Sequence, residues 1–168
     1  MRLVGNLPSI SEVLIVNDDP VNVAIVERML MRNGFTGVRS LTDPLQFRDA
    51  FVAQRPDIIL LDLQMAHLSG LDVIAETRRL CGTNEYLPIL AITGDVTSDT
   101  HSRALAAGAI DFITKPFDEA EVVLRVLNYL EVRRLHLRLV VRATELEYLV
   151  QTSTAKRPSW PHVRPRGD

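Results

Sequence analysis

Five short apolar runs recur along the chain, and a stretch with helical spacing follows each of them. The third run, Ile58–Leu61, is apolar at every position, which is typical of a strand covered on both faces. Five β–α units predict an α/β fold, a doubly wound (βα)5 domain with helices on both faces of a five-stranded parallel sheet. The predicted strands are 13–16, 38–41, 57–61, 89–92 and 109–114. The predicted helices begin at Pro20, near Pro44, at Leu71, after a cap at Ser98 or Asp99, and at Asp118.

Polar side chains stand where four of the five predicted strands end, at Asn17, Asp18 and Asp19, Asp62, Thr93, and Lys115. Ligands of such sheets bind beyond the carboxyl ends of the strands, so these groups are expected to share one basin. Clustered carboxylates repel one another unless a cation such as Mg²⁺ neutralises them. Carboxylates, a hydroxyl and an ammonium around a metal suit phosphoryl transfer, in which a carboxylate can be the nucleophile. Each residue alone is more typical of a helix cap or a turn, and it is their co-occurrence that indicates a site.

The same segments resemble the receiver domain of bacterial two-component response regulators. The resemblance runs from about Val13 to Leu130 and rests on VLIVNDDP, IILLDLQMAHLSGLD, AITGD and DFITKPF, which begin at Val13, Ile58, Ala91 and Asp111. It implies a flavodoxin-like strand order of 2-1-3-4-5. It also implies phosphorelay signalling, in which a histidine kinase or phosphotransfer protein delivers the phosphoryl group.

The resemblance assigns a role to each residue of the predicted basin. Asp62 is the phosphoacceptor, and Mg²⁺ is held by Asp18, Asp62 and the backbone carbonyl of Gln64. Lys115 pairs with the phosphoryl oxygens. Thr93 and the aromatic Phe112 form a switch that alters the surface made by the fourth helix, the fifth strand and the fifth helix.

Three features depart from the family's usual pattern. Asn17 replaces the first of two adjacent acids, which predicts weaker Mg²⁺ binding, and Asp19 is expected to compensate partly through its charge. Ala66 replaces the usual proline in the loop after the acceptor. Gln64 and Asp95 occupy variable positions, where the family's residues influence how long the phosphoryl group survives.

The chain continues beyond a receiver's usual end near Leu130, and its charge changes sign there. Residues 1–130 contain 11 basic and 17 acidic side chains, a net of −6, whereas residues 131–168 contain 8 and 4, a net of +4. The segment 131–151 is predicted to continue the fifth helix as a parallel coiled-coil dimer that relays the switch. Its seam steps by three and four residues through Val132, Leu135, Leu139, Arg142, Leu146 and Leu149. The alternative is a terminal helix folded back on its own domain.

The predicted organisation is an N-terminal extension (1–10), a receiver (11–130), the helical segment and a basic, proline-rich tail (152–168). The formal net charge of −2 argues against direct nucleic-acid binding. Cys81 is the single cysteine, no apolar run has the length of a membrane helix, and Met1–Ile10 lacks a secretion signal, so a cytoplasmic protein is expected.

Two other functions stay open from sequence. One is a degenerate receiver that serves as a phosphorylation-independent interaction platform, which Asn17 favours weakly. The other is an Asp-nucleophile phosphatase of the haloacid-dehalogenase type, which Gln64 disfavours because that family needs a second aspartate there. Activity is expected to be limited to self-phosphorylation and autodephosphorylation, with any effector separate or in a longer protein.

Overall fold

The computed structural model describes residues 11–82, 85–94 and 97–155, with side chains through Thr152 apart from the gaps. The predicted N-terminal extension, Asp95 and residues 156–168 of the predicted tail lie outside these residues. The described residues divide into two compact units, with the boundary between Arg134 and Leu135.

Five parallel strands form one sheet in the order β2-β1-β3-β4-β5, which confirms the predicted fold and topology. The strands are β1 (Glu12–Val16), β2 (Gly37–Leu41), β3 (Ile58–Asp62), β4 (Ile89–Thr93) and β5 (Asp111–Thr114). The helices are α1 (Pro20–Arg32), α2 (Phe47–Ala53), α3 (Gly70–Cys81), α4 (Ser98–Ala107) and α5 (Glu119–Ala155).

The strand limits 13–16, 38–41, 57–61 and 89–92 and the starts of α3 and α5 differ from the prediction by one residue at one or both ends. Three other predicted boundaries were wrong in ways that have a local cause. The cap of α4 is Thr97, so Ser98 and Asp99 lie inside the first turn. A separate 3-10 turn, Pro44–Gln46, precedes α2. The fifth strand starts only at Asp111, because the backbone N–H of Ala109 still donates to Ala104 at 2.9 Å and closes the end of α4.

The central strands separate two apolar cores by alternating their side chains. Val13 and Ile15 face the core that contains α1 and α5, whereas Leu14 and Val16 face the core that contains α2, α3 and α4. All five residues of β3 are buried, as the apolar run predicts for a strand between two layers.

A polar cluster fixes the middle of α5 to the start of β5. Arg125 and Tyr129 both donate to Asp111 Oδ2, with the tyrosine hydroxyl at 2.9 Å. Burial and the hydrogen bond to Asp111 raise the pKa of Tyr129 from 10 to about 12, because deprotonation would place a second anion beside the carboxylate.

Tyr129 is therefore expected to ionise at about pH 12, above the ordinary tyrosine pKa of 10. Its raised pKa means that the contribution to stability is complete below pH 10 and is lost as the pH rises toward 12. Absorbance titration of the phenolate should show a late step that disappears in Tyr129→Phe. A late step of unchanged size in that variant would contradict the assignment.

A second cluster fixes α5 farther along, where Arg133 is only 6% exposed. Arg133 donates to the carbonyl of Tyr86 and, at 2.7 Å, to Glu85, and Arg55 also reaches Glu85 at 2.6 Å. Arg133, which follows the first residue of the predicted seam, thus binds the receiver itself.

The second unit begins at Leu135, and its described residues continue α5 to Ala155. Its large apolar side chains are exposed, among them Leu139, Leu146 and Leu149 at 68, 62 and 59%. Within the described ranges, no helix combines the length and hydropathy needed to cross a bilayer.

Candidate functional site

The strand ends place three polar side chains in a buried position. Asn17 follows β1, Asp62 is the last residue of β3 and Thr93 is the last residue of β4, and they are 4, 3 and 0% exposed. Lys115 follows β5, and its backbone N–H donates to the carbonyl of Thr93 at 2.8 Å. The parallel register therefore brings the predicted residues to the same edge of the sheet.

Asp62 and Lys115 form the charged centre of this edge. The ammonium Nζ lies 2.5 Å from Asp62 Oδ2, and the Lys115 side chain is 26% exposed. The other carboxylate oxygen, Oδ1, accepts the backbone N–H of Gln64 at 3.0 Å. The buried anion thus has a partner on each oxygen, which offsets the cost of removing it from water.

Asp18 lies beside the same loop and is half-buried. Its Oδ2 accepts the backbone N–H of Ala66 at 2.6 Å. This bond fixes Asp18 to the loop that leaves Asp62, so both acids border the loop 63–69. The bond also uses a backbone donor at the position where the family usually has proline, which has no N–H.

The oxygen atoms available at this edge are the type of ligand that a hard cation such as Mg²⁺ prefers. Asp18 and Asp62 supply carboxylate oxygens, and the N–H of Gln64 is already bonded to Asp62, which leaves its carbonyl as the available backbone ligand. In the described part of the chain, no group of three or more His, Cys, Asp or Glu side chains converges to hold a metal. The predicted set has two carboxylates and one carbonyl, so it would depend on water for the remaining ligands.

Asn17 and Asp19 organise the turn after β1. Asn17 Oδ1 accepts the backbone N–H of Asp19 at 2.8 Å. The Asp19 carboxylate caps α1, because Oδ1 accepts the N–H of Val21 at 2.9 Å and Oδ2 accepts the side-chain amide of Asn22 at 2.8 Å. Both oxygens of Asp19 are therefore engaged at the helix N-terminus, a use that the sequence analysis did not assign to it.

Phe112, the predicted switch aromatic, has a neighbour that the sequence patterns did not indicate. The half-buried ring of Phe112 stacks on His101 of α4, with ring centroids 3.6 Å apart and planes inclined by 25°. Among the described residues, His101 Nε2 is buried without a hydrogen-bond partner. His101 precedes the buried Ala104 by three residues, a spacing that places both on one helix face and could have identified it.

Gly70 allows the start of α3 to approach the end of β3. A Cβ at this position would lie 2.6 Å from both the carbonyl oxygen of Asp62 and the Cα of Leu63. The N–H of Gly70 donates to the carbonyl of Leu63 at 3.2 Å. The loop that contains Gln64 and Ala66 is thus closed by a backbone contact that tolerates no side chain.

Gly70→Ala is expected to lower the free energy of unfolding by about 1–3 kcal/mol, because backbone atoms must move to admit the methyl group. Gly94→Ala is the matched control, since a Cβ at Gly94 has no atom within 4 Å. Urea unfolding of both variants measures the difference. Equal stability of the two would show that the loop adjusts without strain.

Comparisons with known proteins agree with the family that the sequence motifs resemble. The family model for the response regulator receiver domain matches residues 13–127. The probable transcriptional regulatory protein TcrX of Mycobacterium tuberculosis is 36% identical over 114 residues, which cover 68% of this chain and 47% of TcrX. The transcriptional regulatory protein CseB of Streptomyces coelicolor is 37% identical over 116 residues, 69% of this chain and 47% of CseB. The chain therefore spans about half the length of these curated relatives.

Solved structures show the same fold. The chemotaxis protein CheY4 of Vibrio cholerae superposes with a TM-score of 0.64 at 24% identity, over 72% of this chain and 98% of that one. NtrX of Brucella abortus gives a TM-score of 0.69 at 26% identity, over 77% of this chain and 29% of NtrX.

Proposed function

This chain belongs to the receiver domain family of two-component response regulators, and on that premise we propose that it is a working phosphoacceptor. Asp62 accepts a phosphoryl group from the phosphohistidine of a histidine kinase or a phosphotransfer protein. The observation that supports this most strongly is the contact between Lys115 Nζ and Asp62 Oδ2 at the buried end of β3. It provides a carboxylate nucleophile with a cation beside the atom that reacts.

The reaction is an in-line displacement at phosphorus. A carboxylate oxygen of Asp62 forms the new P–O bond while the P–N bond to the donor imidazole breaks, and the electron pair stays on the imidazole nitrogen. Charge accumulates on the phosphoryl oxygens, and the ammonium of Lys115 is already within contact distance of Asp62 to stabilise it. The product is an acyl phosphate.

Receiver domains as a class bind Mg²⁺ at the phosphorylated site. In this chain Asp18, Asp62 and the Gln64 carbonyl would hold the ion, which supplies further neutralisation of the phosphoryl charge. Asn17 is neutral and its Oδ1 already accepts from Asp19, so it adds no charge toward the ion. We therefore expect a weaker Mg²⁺ affinity than a pair of adjacent acids would give.

Phosphorylation would alter the contacts of Thr93 and Phe112. The two residues lie on neighbouring strands, where Phe112 pairs with Ala91, two residues before Thr93. A phosphoryl group on Asp62 attracts the Thr93 hydroxyl, and the space this leaves allows the Phe112 ring to turn inward, away from His101. The phosphorylated state thus favours one arrangement of the α4–β5–α5 surface over another.

The exposed seam of α5 provides the proposed route to the next component. Leu139, Leu146 and Leu149 would become buried if two copies associated through this helix. An effector would lie in a separate protein or in a longer chain. Asn17 is the one observation that favours the alternative of a phosphorylation-independent platform.

The test is incubation of the whole chain with acetyl phosphate and Mg²⁺, followed by intact mass measurement. We expect the gain of one phosphoryl group, and no gain when EDTA removes the cation. Light scattering before and after phosphorylation measures any coupling to self-association. The absence of a mass gain at saturating Mg²⁺ would refute the phosphoacceptor proposal and favour the platform.

A further inference from the structure

We propose that the extension of α5, residues 131–151, pairs with the same segment of a second copy in the antiparallel orientation. This inference rests on the self-association proposed above and revises the parallel arrangement expected from the seam. It depends on where the charged residues lie along the helix and around it.

The extension presents an exposed apolar seam with charges beside it. In heptad notation Val132, Leu139 and Leu146 occupy position a, while Leu135, Arg142 and Leu149 occupy position d. Arg138 and Glu145 are both at position g, directly beside this seam. Within the part of the chain that the structure describes, Arg138, Arg142 and Glu145 form no hydrogen bond or ion pair that would occupy them.

The basic and acidic side chains are separated along the helix axis. Arg133 and Arg134 are already paired with Glu85 and Glu131. Beyond them, residues 135–142 contain two arginines and no acid, whereas residues 143–152 contain two glutamates and no basic residue. Parallel pairing would place each segment against its own copy, like charge against like charge. Antiparallel pairing places the basic segment of one helix against the acidic segment of the other.

Individual contacts distinguish the two orientations. In a parallel pair, position g faces position e of the partner, so Arg138 would face Ala143 and Glu145 would face Val150, with no ion pair. The core layer at Arg142 would bring two guanidinium groups together. Both features weaken a parallel pair.

In an antiparallel pair, positions a and d share layers and position g faces position g. The register that buries most of the seam places Leu135 against Leu146, Val132 against Leu149 and Leu139 against Arg142. The same register brings Arg138 beside Glu145 of the second copy, twice by symmetry. Each Arg142 then lies against a leucine, and its head group can reach water at the edge of the seam.

Disulfide trapping of the whole chain tests the orientation. Cys81 is changed to serine in all variants, although burial and the nearby Glu85 raise the pKa of its thiol and slow its reaction. A mixture of Leu135→Cys and Leu146→Cys chains is expected to form a mixed disulfide dimer. Leu146→Cys alone is expected to form little. Leu137→Cys, on the opposite side of the helix, is the matched control and should not cross-link.

Charge exchange gives an independent measurement by sedimentation. Arg138→Glu and Glu145→Arg should each weaken self-association by about tenfold, because two symmetry-related pairs change from attraction to repulsion. The double variant should restore it. A parallel pair predicts no such restoration, since neither residue then has a charged partner.

Two outcomes would overturn the inference. One is cross-linking of Leu146→Cys alone at least as efficiently as the mixture, which is the parallel result. The other is a monomer at concentrations on the order of tens of micromolar. Phosphoryl acceptance is measured separately, by intact mass of the same chains before and after treatment with acetyl phosphate and Mg²⁺. Failure of the phosphoacceptor proposal is therefore distinguished from failure of the pairing.

Discussion

Replacing Asp62 with asparagine is expected to abolish the gain of one phosphoryl group from acetyl phosphate and Mg²⁺. The amide has nearly the same shape as the carboxylate but lacks an anionic oxygen that can attack phosphorus. Its oxygen can still accept from Gln64 or from Lys115, so the surrounding loop should keep its structure. The measurement is intact mass over time, with the wild-type chain in parallel.

Asp57→Asn is the matched control for this variant. Asp57 precedes β3, whereas Asp62 ends it, and its Oδ2 accepts the backbone N–H of Glu12 at 3.0 Å, a bond that asparagine can also make. We expect Asp57→Asn to be phosphorylated like the wild type. The free energy of unfolding of Asp62→Asn should lie within about 1 kcal/mol of the wild-type value. A full mass gain in folded Asp62→Asn would place the acceptor elsewhere.

Arg133→Met is expected to lower the free energy of unfolding by about 2–3 kcal/mol. Arg133 is nearly fully buried and pairs with Glu85 at 2.7 Å. Its removal leaves the carbonyl of Tyr86 without this donor and part of the Glu85 charge without a partner. Arg55 still contacts Glu85 at 2.6 Å and limits the loss. Urea unfolding measures the change.

The effect of Arg133→Met should depend on pH. Burial alone would raise the pKa of Glu85, but its bonds to Arg133 and Arg55 outweigh burial and lower the pKa from 4.5. A lowered pKa stabilises the fold above pH 4.5, and this contribution is lost as the pH falls through the folded-state value. The difference between wild type and variant should therefore shrink below pH 4.5.

Arg134→Met provides the comparison for that experiment. Arg134 pairs with Glu131 on the exposed surface of the same helix, where solvent screens the interaction. We expect no measurable change in unfolding and no added pH dependence. A loss equal to that of Arg133→Met would show that helix propensity, and not the buried pair, accounts for the effect.

Sequence patterns predicted the sheet and its polar edge because these depend on local periodicity and on where strands end. The apolar run at Ile58–Leu61 predicted a fully covered strand, and the residues that follow each strand predicted Asp62, Thr93 and Lys115 at one edge. The parallel topology alone brings them together, and no knowledge of side-chain contacts was needed. Boundaries were less accurate, since the end of α4 depends on hydrogen bonds that reach Ala109.

The residues that sequence patterns missed depend on partners far away in the chain. Arg133 is bonded to a residue 48 positions earlier, and no periodicity reveals that its side chain turns toward the receiver. His101 was missed because its role arises from stacking on Phe112, which belongs to another strand–helix unit. Asp19 was predicted to compensate by its charge near the metal, but both of its carboxylate oxygens accept hydrogen bonds from the first turn of α1.

The two polar clusters hold α5 to the receiver at two points along the helix axis. The helix begins shortly after Lys115, at the edge that carries Asp62, and Arg133 is bonded at the opposite edge, beside the residues that precede β4. From Glu119 to Arg133 the helix rises roughly 20 Å, so a tilt of about 5° at its first turn displaces Arg133 by roughly 2 Å. Such a displacement is comparable to the length of the Arg133–Glu85 ion pair, 2.7 Å. A small tilt of the helix at one edge of the domain would therefore alter the contacts of Arg133 with Glu85 and the Tyr86 carbonyl at the other.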